Sequence, residues 1–182
     1  MDYIKELCAC LKALPLDQIH ELYRMICICS QSGNTVFIAG NGGSAASAEH
    51  WVCDLSKSCR TPAHKRVNIV SLCSGIPLLT AYANDISFED IFAEQLRDRM
   101  RSGDVLIILS ASGNSPNLIR AVDYSRKVGA KSAAIVGSLN GYVAQAVTLP
   151  IIVQSENYGI IEDVHMAVNH MIKEYFLSEK EL

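Results

Sequence analysis

The chain has 182 residues, of which 49% are hydrophobic and 19% are charged, so it can bury a core and is not a disordered protein. Its formal net charge of -3 disfavours a non-specific nucleic-acid binder, which usually carries a basic excess. No apolar run approaches the roughly 18–20 residues that span a bilayer, and no basic segment followed by an apolar stretch opens the chain. We therefore expect neither a membrane protein nor a secreted one.

Residues 1–33 are predicted to form two helices, because apolar side chains recur at helical spacing on both sides of Pro15. Gly33 is a plausible end of the second helix. Both helices carry much apolar surface, which could pack against a partner subunit or against the same chain; the sequence favours neither alternative.

From Thr35 onward, short apolar strands alternate with helices. The predicted strands cover residues 35–39, 67–72, 105–109, 132–136 and 147–153. The first predicted helix of this part follows the loop after the first strand and ends at about residue 55. The others cover residues 77–82, 88–101, 116–128 and 162–176. This alternation predicts a five-stranded parallel sheet covered on both faces, that is, a three-layer α/β/α sandwich. With no linker or repeat, residues 34–182 and the helical pair form one predicted domain over residues 1–182.

The sequence contains seven cysteines, an odd number, and none forms a C-x-x-C pair. Cys8 with Cys10, and Cys27 with Cys29, would point about 200° apart on a helix, too divergent to share a metal. This favours reduced thiols packed as small hydrophobic side chains in a cytoplasmic protein over a disulfide or zinc–cysteine framework.

Two unusual loops follow the first and third strands, where parallel sheets bind ligands. The first loop, from Gly40 to Ser44, holds three glycines that let a ligand approach the backbone closely. Its spacing matches neither the G-x-G-x-x-G fingerprint nor a Walker loop, so we expect no nucleotide cofactor.

The second loop runs from Ser110 to Asn117 and places three serines around a glycine before a helix that begins at Pro116. Hydroxyls and free helix N–H groups can surround phosphate oxygens without a lysine. The alternative is a serine-rich helix cap and turn that binds no ligand. Two such loops at neighbouring strand ends favour the phosphate interpretation.

Three segments resemble the sugar isomerase (SIS) domain family, within it the sedoheptulose-7-phosphate (phosphoheptose) isomerases: FIAGNGGSAASAEHW, TAYANDISFEDIFAEQL and GDVLIILSASGNSPNLIRAV. The resemblance covers nearly the whole chain. It implies the three-layer SIS fold, a sugar phosphate substrate and a homotetramer whose active sites lie at subunit junctions.

The resemblance also implies roles for individual residues. The serine loop would hold the phosphate, the glycine loop would contact the sugar, and the Asn-Asp pair would line the same pocket. The implied substrate-binding set is Asn41, Gly42, Gly43, Ser44, Asn84, Asp85, Ser110, Ala111, Ser112, Ser115 and Glu162. In the isomerases, the positions that match His50, Asp54, Glu162 and His170 also bind a zinc ion.

This chain departs from the family at two of these positions, with Asp54 in place of Glu and Glu162 in place of Gln. Asp54 is shorter by one methylene, roughly 1.5 Å of reach, and catalytic geometry tolerates little misplacement. The added charge of Glu162 could strengthen a metal site or raise the pKa of a neighbouring carboxylate.

We take Asp54 and His170 as the two proton-transfer groups of an aldose–ketose isomerase, with the assignment of base and acid left open. His50 and Asp54 share a helix face, which suits either metal capture or an ordinary surface ion pair. Glu162 and His170 are eight residues apart, about 12 Å along a helix. They can therefore meet one ion only if Glu162 precedes the helix or if the two come from different subunits. Helix packing is the alternative role for His165 and His170.

The leading interpretation is an isomerase that converts sedoheptulose 7-phosphate to D-glycero-D-manno-heptose 7-phosphate in heptose or surface-polysaccharide precursor synthesis. The alternatives are a non-catalytic SIS module that binds a phosphosugar or the replication initiator, and an isomerase of another sugar phosphate. Retention of chelating or ionisable residues at all four positions, His50, Asp54, Glu162 and His170, favours an enzyme.

Overall fold

The computed structural model describes residues 2–58, 66–137 and 141–178, so Cys59 lies outside the described residues. The helices are α1 (Tyr3–Lys12), α2 (Leu16–Gln31), α3 (Gly43–Ser58), α4 (Ile76–Asp85), α5 (Ile91–Leu96), α6 (Pro116–Lys127), α7 (Tyr142–Ala146) and α8 (Tyr158–Leu177). A 3₁₀ turn over Phe88–Asp90 precedes α5. The strands are β1 (Val36–Gly40), β2 (Ile69–Ser71), β3 (Val105–Ser110), β4 (Lys131–Val136) and β5 (Leu149–Ile152).

The five strands form one parallel sheet in the order β2-β1-β3-β4-β5. Every residue of β1 and β3 is buried, as expected for strands that are covered on both faces. In this order the winding direction reverses between β1 and β3, which opens a crevice beyond the carboxyl ends of these two strands. The predicted five-stranded parallel sheet is confirmed.

Alternate residues of β1 serve two separate apolar cores. Val36 and Ile38 join α1, α2, α3 and α8 on one face, whereas Phe37 and Ala39 join α5, α6 and α7 on the other. These two helical layers confirm the three-layer α/β/α sandwich. None of the described helices is long and apolar enough to cross a membrane.

The first two helices bury their inner faces within the same chain. Ile19, Leu22 and Ile26 of α2 are fully buried in the core that contains α8. The Tyr3 hydroxyl of α1 donates to Asp163 of α8 at 2.7 Å. Packing against the same chain is therefore the correct alternative for these inner faces.

Burial governs the chemistry of several thiols. Cys27 and Cys29 are buried, and loss of solvation raises the pKa of each thiol to about 11. Such thiols behave as small hydrophobic groups, as predicted. Cys8 and Cys53 differ from them because both are exposed.

Two helix boundaries differ from the predictions. The helix predicted over 88–101 is wrong beyond Leu96, because Arg97 leaves the helical conformation (ψ 130°) and Asp98 adopts φ 61°. The last helix begins at Tyr158 rather than near residue 162. Its start is fixed by Asn157, whose side-chain oxygen accepts hydrogen bonds from the N–H groups of Gly159 and Ile160. The short helix α7 has no counterpart among the predictions.

Candidate active site

The glycine loop and the serine loop leave the sheet side by side at the switch point. Gly40 at the end of β1 is paired with Leu109 of β3. Beyond the sheet, Asn41 donates to Asn117 at 2.9 Å, and Asn117 donates back to Asn41 at 3.0 Å. Asn117 is buried in the first turn of α6, so this amide pair fixes the glycine loop against the helix that follows the serine loop.

A small polar cavity of about 110 Å³, which we call the serine cavity, lies between the two loops and the start of α8. That volume equals roughly four waters of liquid, enough for a compact polar group. Its lining residues are Asn41, Ser44, Ser110, Ala111, Ser112, Ser115, Tyr158 and Glu162. All of these except Tyr158 belong to the predicted substrate-binding set. Tyr158 was missed because the last helix was expected to begin after it.

The serine hydroxyls are arranged to act as donors. Ser110 Oγ accepts a hydrogen bond from the N–H of Gly113 at 3.0 Å, and Ser112 Oγ accepts one from the N–H of Asn114 at 3.2 Å. Because a hydroxyl has one proton, accepting these bonds leaves each O–H free to donate to an anion. Ser115 precedes α6 without a capping bond from its side chain, so its hydroxyl is also available. Gly113 adopts φ 65°, a conformation that favours glycine and closes the turn.

Glu162 lies in the second turn of α8 beside the start of α3. Its carboxylate rests against Gly43, and any side chain at position 43 would meet both carboxylate oxygens. Glycine at this position therefore lets the carboxylate reach the wall of the serine cavity.

A second polar cluster lies further along the same two helices and is centred on Asp54. His50 Nε2 is 3.5 Å and His170 Nε2 3.6 Å from Asp54 Oδ2. Asn169 donates to Oδ2 at 2.8 Å, and Lys173 donates to Oδ1 at 3.1 Å. Asp54 is buried, whereas the two histidine side chains are about half exposed. The cluster is therefore open to a ligand from the side of the histidines.

The surroundings of Asp54 keep it ionised at neutral pH. Burial by itself would raise the pKa of this carboxyl group and is the largest single influence, but it is opposed by the hydrogen bond and the charge of Lys173. Asn169 and His50 act in the same direction, so the pKa of Asp54 lies below its usual value. Asn169 and Lys173 were not predicted from the sequence, since no local pattern links them to a residue on another helix.

The cluster and the cavity are both built by α3 and α8, which run side by side in the same direction. Gly43 meets Glu162 near the starts of the helices, and Asp54 meets Asn169 further along. Glu162 lies seven positions before Asn169 and eight before His170, a separation that corresponds to roughly 10–12 Å along α8.

Three of the four predicted zinc ligands come together. The ligand atoms of His50, Asp54 and His170 all lie within 4.8 Å of one another. A tetrahedral zinc with bonds of about 2.0–2.1 Å would separate its ligands by about 3.4 Å, close to the two observed spacings to Asp54. The donor set thus fits a zinc ion held by three protein ligands.

The fourth predicted ligand, Glu162, is not part of this cluster within one chain. Because α8 begins at Tyr158, Glu162 does not precede the helix, so this route to a shared ion is excluded. A ligand from another subunit is the remaining route.

His165 has a structural role. It is fully buried, and its Nε2 lies 3.0 Å from the carbonyl of Ile135. Burial lowers the pKa of the imidazole to about 4, although the hydrogen bond to Ile135 opposes this shift. The packing interpretation is thus correct for His165, whereas His170 lies exposed beside Asp54.

The Asn-Asp pair lies apart from the serine cavity in this chain. Asn84 and Asp85 are exposed at the end of α4, and Asn84 donates to Asp85 at 2.8 Å. Neither lines the serine cavity. A larger apolar cleft of about 410 Å³, which includes Leu79 and Phe92, separates α4 from the glycine loop.

A hydroxyl-lined cavity at the switch point of a parallel sheet is typical of three-layer α/β proteins that bind small ligands at the carboxyl ends of their strands. The chain belongs to the SIS domain family, whose model matches residues 1–137.

Its relatives include several isomerases. The chain is 32% identical over 171 residues to a probable phosphoheptose isomerase of Thermoplasma volcanium, covering 94% of this chain and 87% of the relative. It is 34% identical over 152 residues to a phosphoheptose isomerase of Geobacter sp. strain M21, covering 84% and 78%. Among solved structures, a phosphoheptose isomerase from Neisseria gonorrhoeae superposes with a TM-score of 0.86 at 26% identity, over 95% of this chain and 92% of that one.

Proposed function

We propose that this protein is a phosphoheptose isomerase that interconverts sedoheptulose 7-phosphate and D-glycero-D-manno-heptose 7-phosphate. The product would serve as a precursor for heptose-containing surface polysaccharides. The observation that carries the proposal is the placement of a hydroxyl-lined cavity and a carboxylate–imidazole cluster along the same pair of helices, α3 and α8. The isomerase relatives support the same reaction.

The serine cavity would hold the phosphate. Ser110, Ser112 and Ser115 would donate hydroxyl protons to the phosphate oxygens, and the backbone N–H of Asn117 in the first turn of α6 would add to them. A hydrogen bond to a charged oxygen is worth about 1.5–3 kcal/mol, so neutral donors suffice without a lysine.

The distance between the serine cavity and the cluster around Asp54 supports a seven-carbon sugar phosphate as the substrate. With bonds of about 1.5 Å, an extended heptose phosphate places C1 roughly 10 Å from phosphorus. This length is similar to the axial distance between the serine cavity and the cluster around Asp54. A phosphate in the cavity would thus leave the carbonyl end of the sugar near Asp54 and His170.

Isomerisation moves a proton between C1 and C2 and a second proton between the two oxygens. We assign these transfers to Asp54 and His170. Asp54 is ionised and is oriented by Asn169. The exposed imidazole of His170 has its Nε2 atom 3.6 Å from Asp54 Oδ2. Each positioned group contributes typically ~10²–10⁴-fold to the rate. If zinc binds, His50, Asp54 and His170 would hold it, and the ion would supply electrostatic stabilisation of negative charge on the substrate oxygens.

We further propose that the protein works as a homotetramer with its sites at subunit junctions. Helix α4 buries none of its residues within this chain, and Ile76 and Phe88 are 68% and 62% exposed. A second copy would cover these side chains and would bring Asn84 and Asp85 toward a neighbouring site. Light scattering coupled to size-exclusion chromatography tests the assembly.

We also propose a cytoplasmic location, where the free thiols would stay reduced.

One observation favours a second candidate, a non-catalytic phosphosugar-binding module. Both oxygens of Asp54 are already engaged, by Asn169 and Lys173, and Asp54 is shorter than the family's glutamate. Incubation of the purified protein with sedoheptulose 7-phosphate, with and without zinc, separates the two functions. Formation of the aldose supports the isomerase, whereas saturable binding without turnover supports the module.

A further inference from the structure

Lys173 forms an ion pair with Asp54 at the centre of the second polar cluster. Its Nζ donates to Asp54 Oδ1 at 3.1 Å, and its side chain is 27% exposed. It lies one helical turn beyond Asn169, so both side chains reach Asp54 from the same face of α8. The two residues hold one oxygen of the carboxylate each.

A divalent ion at this cluster would bind the other side of the same carboxylate. His50 and His170 both lie near Oδ2, which leaves the Lys173 ammonium on Oδ1. The metal and the Lys173 ammonium would then share one carboxylate, one on each side of it. Two positive charges about 5 Å apart repel strongly enough, even in a partly solvated site, to weaken metal binding about tenfold or more.

We propose that Lys173 is the resident counter-cation of Asp54 and that its charge lowers the affinity of the cluster for divalent metal, while Asn169 keeps the carboxylate in place. The Lys173 ammonium thus already supplies Asp54 with a positive charge that would otherwise come from a bound metal ion. The inference concerns the site described under the proposed function and rests on that assignment. Metal affinity can be measured without substrate, so its outcome does not depend on whether the protein is an isomerase.

The test compares the zinc affinity of the metal-stripped full chain with that of Lys173→Met, by competition with a chromogenic chelator at neutral pH and fixed ionic strength. We expect Lys173→Met to bind zinc about tenfold more tightly, because the repelling charge is gone while the three ligands remain. Lys173→Arg should keep the affinity of the parent chain. Lys127→Met removes the same charge from an exposed site on α6, on the opposite face of the sheet, and should leave the affinity unchanged.

A double variant shows whether the bound zinc lies in this cluster or on the exposed thiols. Adding His50→Ala to Lys173→Met should remove the gain in affinity. Equal or weaker binding by Lys173→Met, or an equal gain in Lys127→Met, would overturn the proposal. If the methionine variant does not fold by circular dichroism, Lys173→Gln replaces it, with the same expected gain in affinity and the same contradicting results.

Discussion

Asn41 and Asn117 exchange two amide hydrogen bonds across the crevice between β1 and β3. They lie 76 positions apart in the sequence, and the pair joins the glycine loop to the first turn of α6. Because these bonds engage both the amide nitrogen and the amide oxygen of Asn41, this side chain serves first to hold the two loops in register.

Replacing Asn117 by alanine should loosen this connection. Asn117 is buried, so the variant loses two hydrogen bonds and leaves the Asn41 amide without this partner. A loss of about 2 kcal/mol in the free energy of unfolding is expected. Urea denaturation measures this loss. Asn68→Ala removes a single exposed hydrogen bond to Thr35 and serves as the control, with an expected loss below about 1 kcal/mol. Equal losses in the two variants would argue against a special role for the pair.

The double substitution of Ser110 and Ser112 by alanine should raise the KM for the sugar phosphate by about 100-fold or more. Each hydroxyl would donate to a charged oxygen, and each such bond is worth about 1.5–3 kcal/mol. Steady-state kinetics and direct binding of inorganic phosphate provide the readout. Ser102→Ala, at an exposed serine outside the cavity, should behave like the parent chain. Unchanged affinity in the double variant would remove the phosphate from this loop.

Glu162→Gln should strengthen binding of the sugar phosphate. The Glu162 carboxylate lines the cavity that would receive a phosphate, and the amide has the same shape without a negative charge. Relief of repulsion in this partly exposed position should lower KM roughly three- to tenfold, with a smaller effect at high salt. A KM that rises instead would indicate that the carboxylate accepts hydrogen bonds from the sugar.

His165 should make the stability of the fold depend on pH. The unfolded imidazole takes up a proton below about pH 6.5, whereas the buried imidazole has a pKa of about 4. Its stabilising contribution is therefore complete above pH 6.5 and is lost as the pH falls toward 4. Between pH 7 and pH 5 this group should remove about 2 kcal/mol.

Urea denaturation at the two pH values tests this expectation. His165→Met should show a smaller change between pH 7 and pH 5 than the parent chain, whatever its absolute stability. His20→Gln alters an exposed histidine and should keep the parent difference. A parent-like pH difference in His165→Met would exclude His165 as its source.

The sequence reveals the sheet and the serine cavity well because their signals are local. Five short apolar runs predict the strands, and the spacing of Ser110, Ser112 and Ser115 before Pro116 marks a loop that leads into a helix. The roles of Asn117 and Lys173 depend instead on partners 76 and 119 positions away, which no local pattern encodes. The early start of α8 is marked by Asn157, a favoured capping residue whose signal the apolar spacing alone does not contain. That start carries Tyr158 into the cavity and keeps Glu162 inside the helix.

Proton exchange into the sugar tests the proposed isomerisation most directly. The parent chain and Asp54→Asn would each be incubated with sedoheptulose 7-phosphate in deuterated buffer, and deuterium at C1 and C2 would be followed by NMR. We predict aldose formation with deuterium incorporation by the parent chain. Asp54→Asn should still bind the sugar phosphate but lose exchange by at least ~10²-fold. Exchange and aldose formation at the parent rate in Asp54→Asn, or binding of the sugar by the parent chain with neither aldose formation nor exchange, would contradict the proposed role of Asp54 in isomerisation.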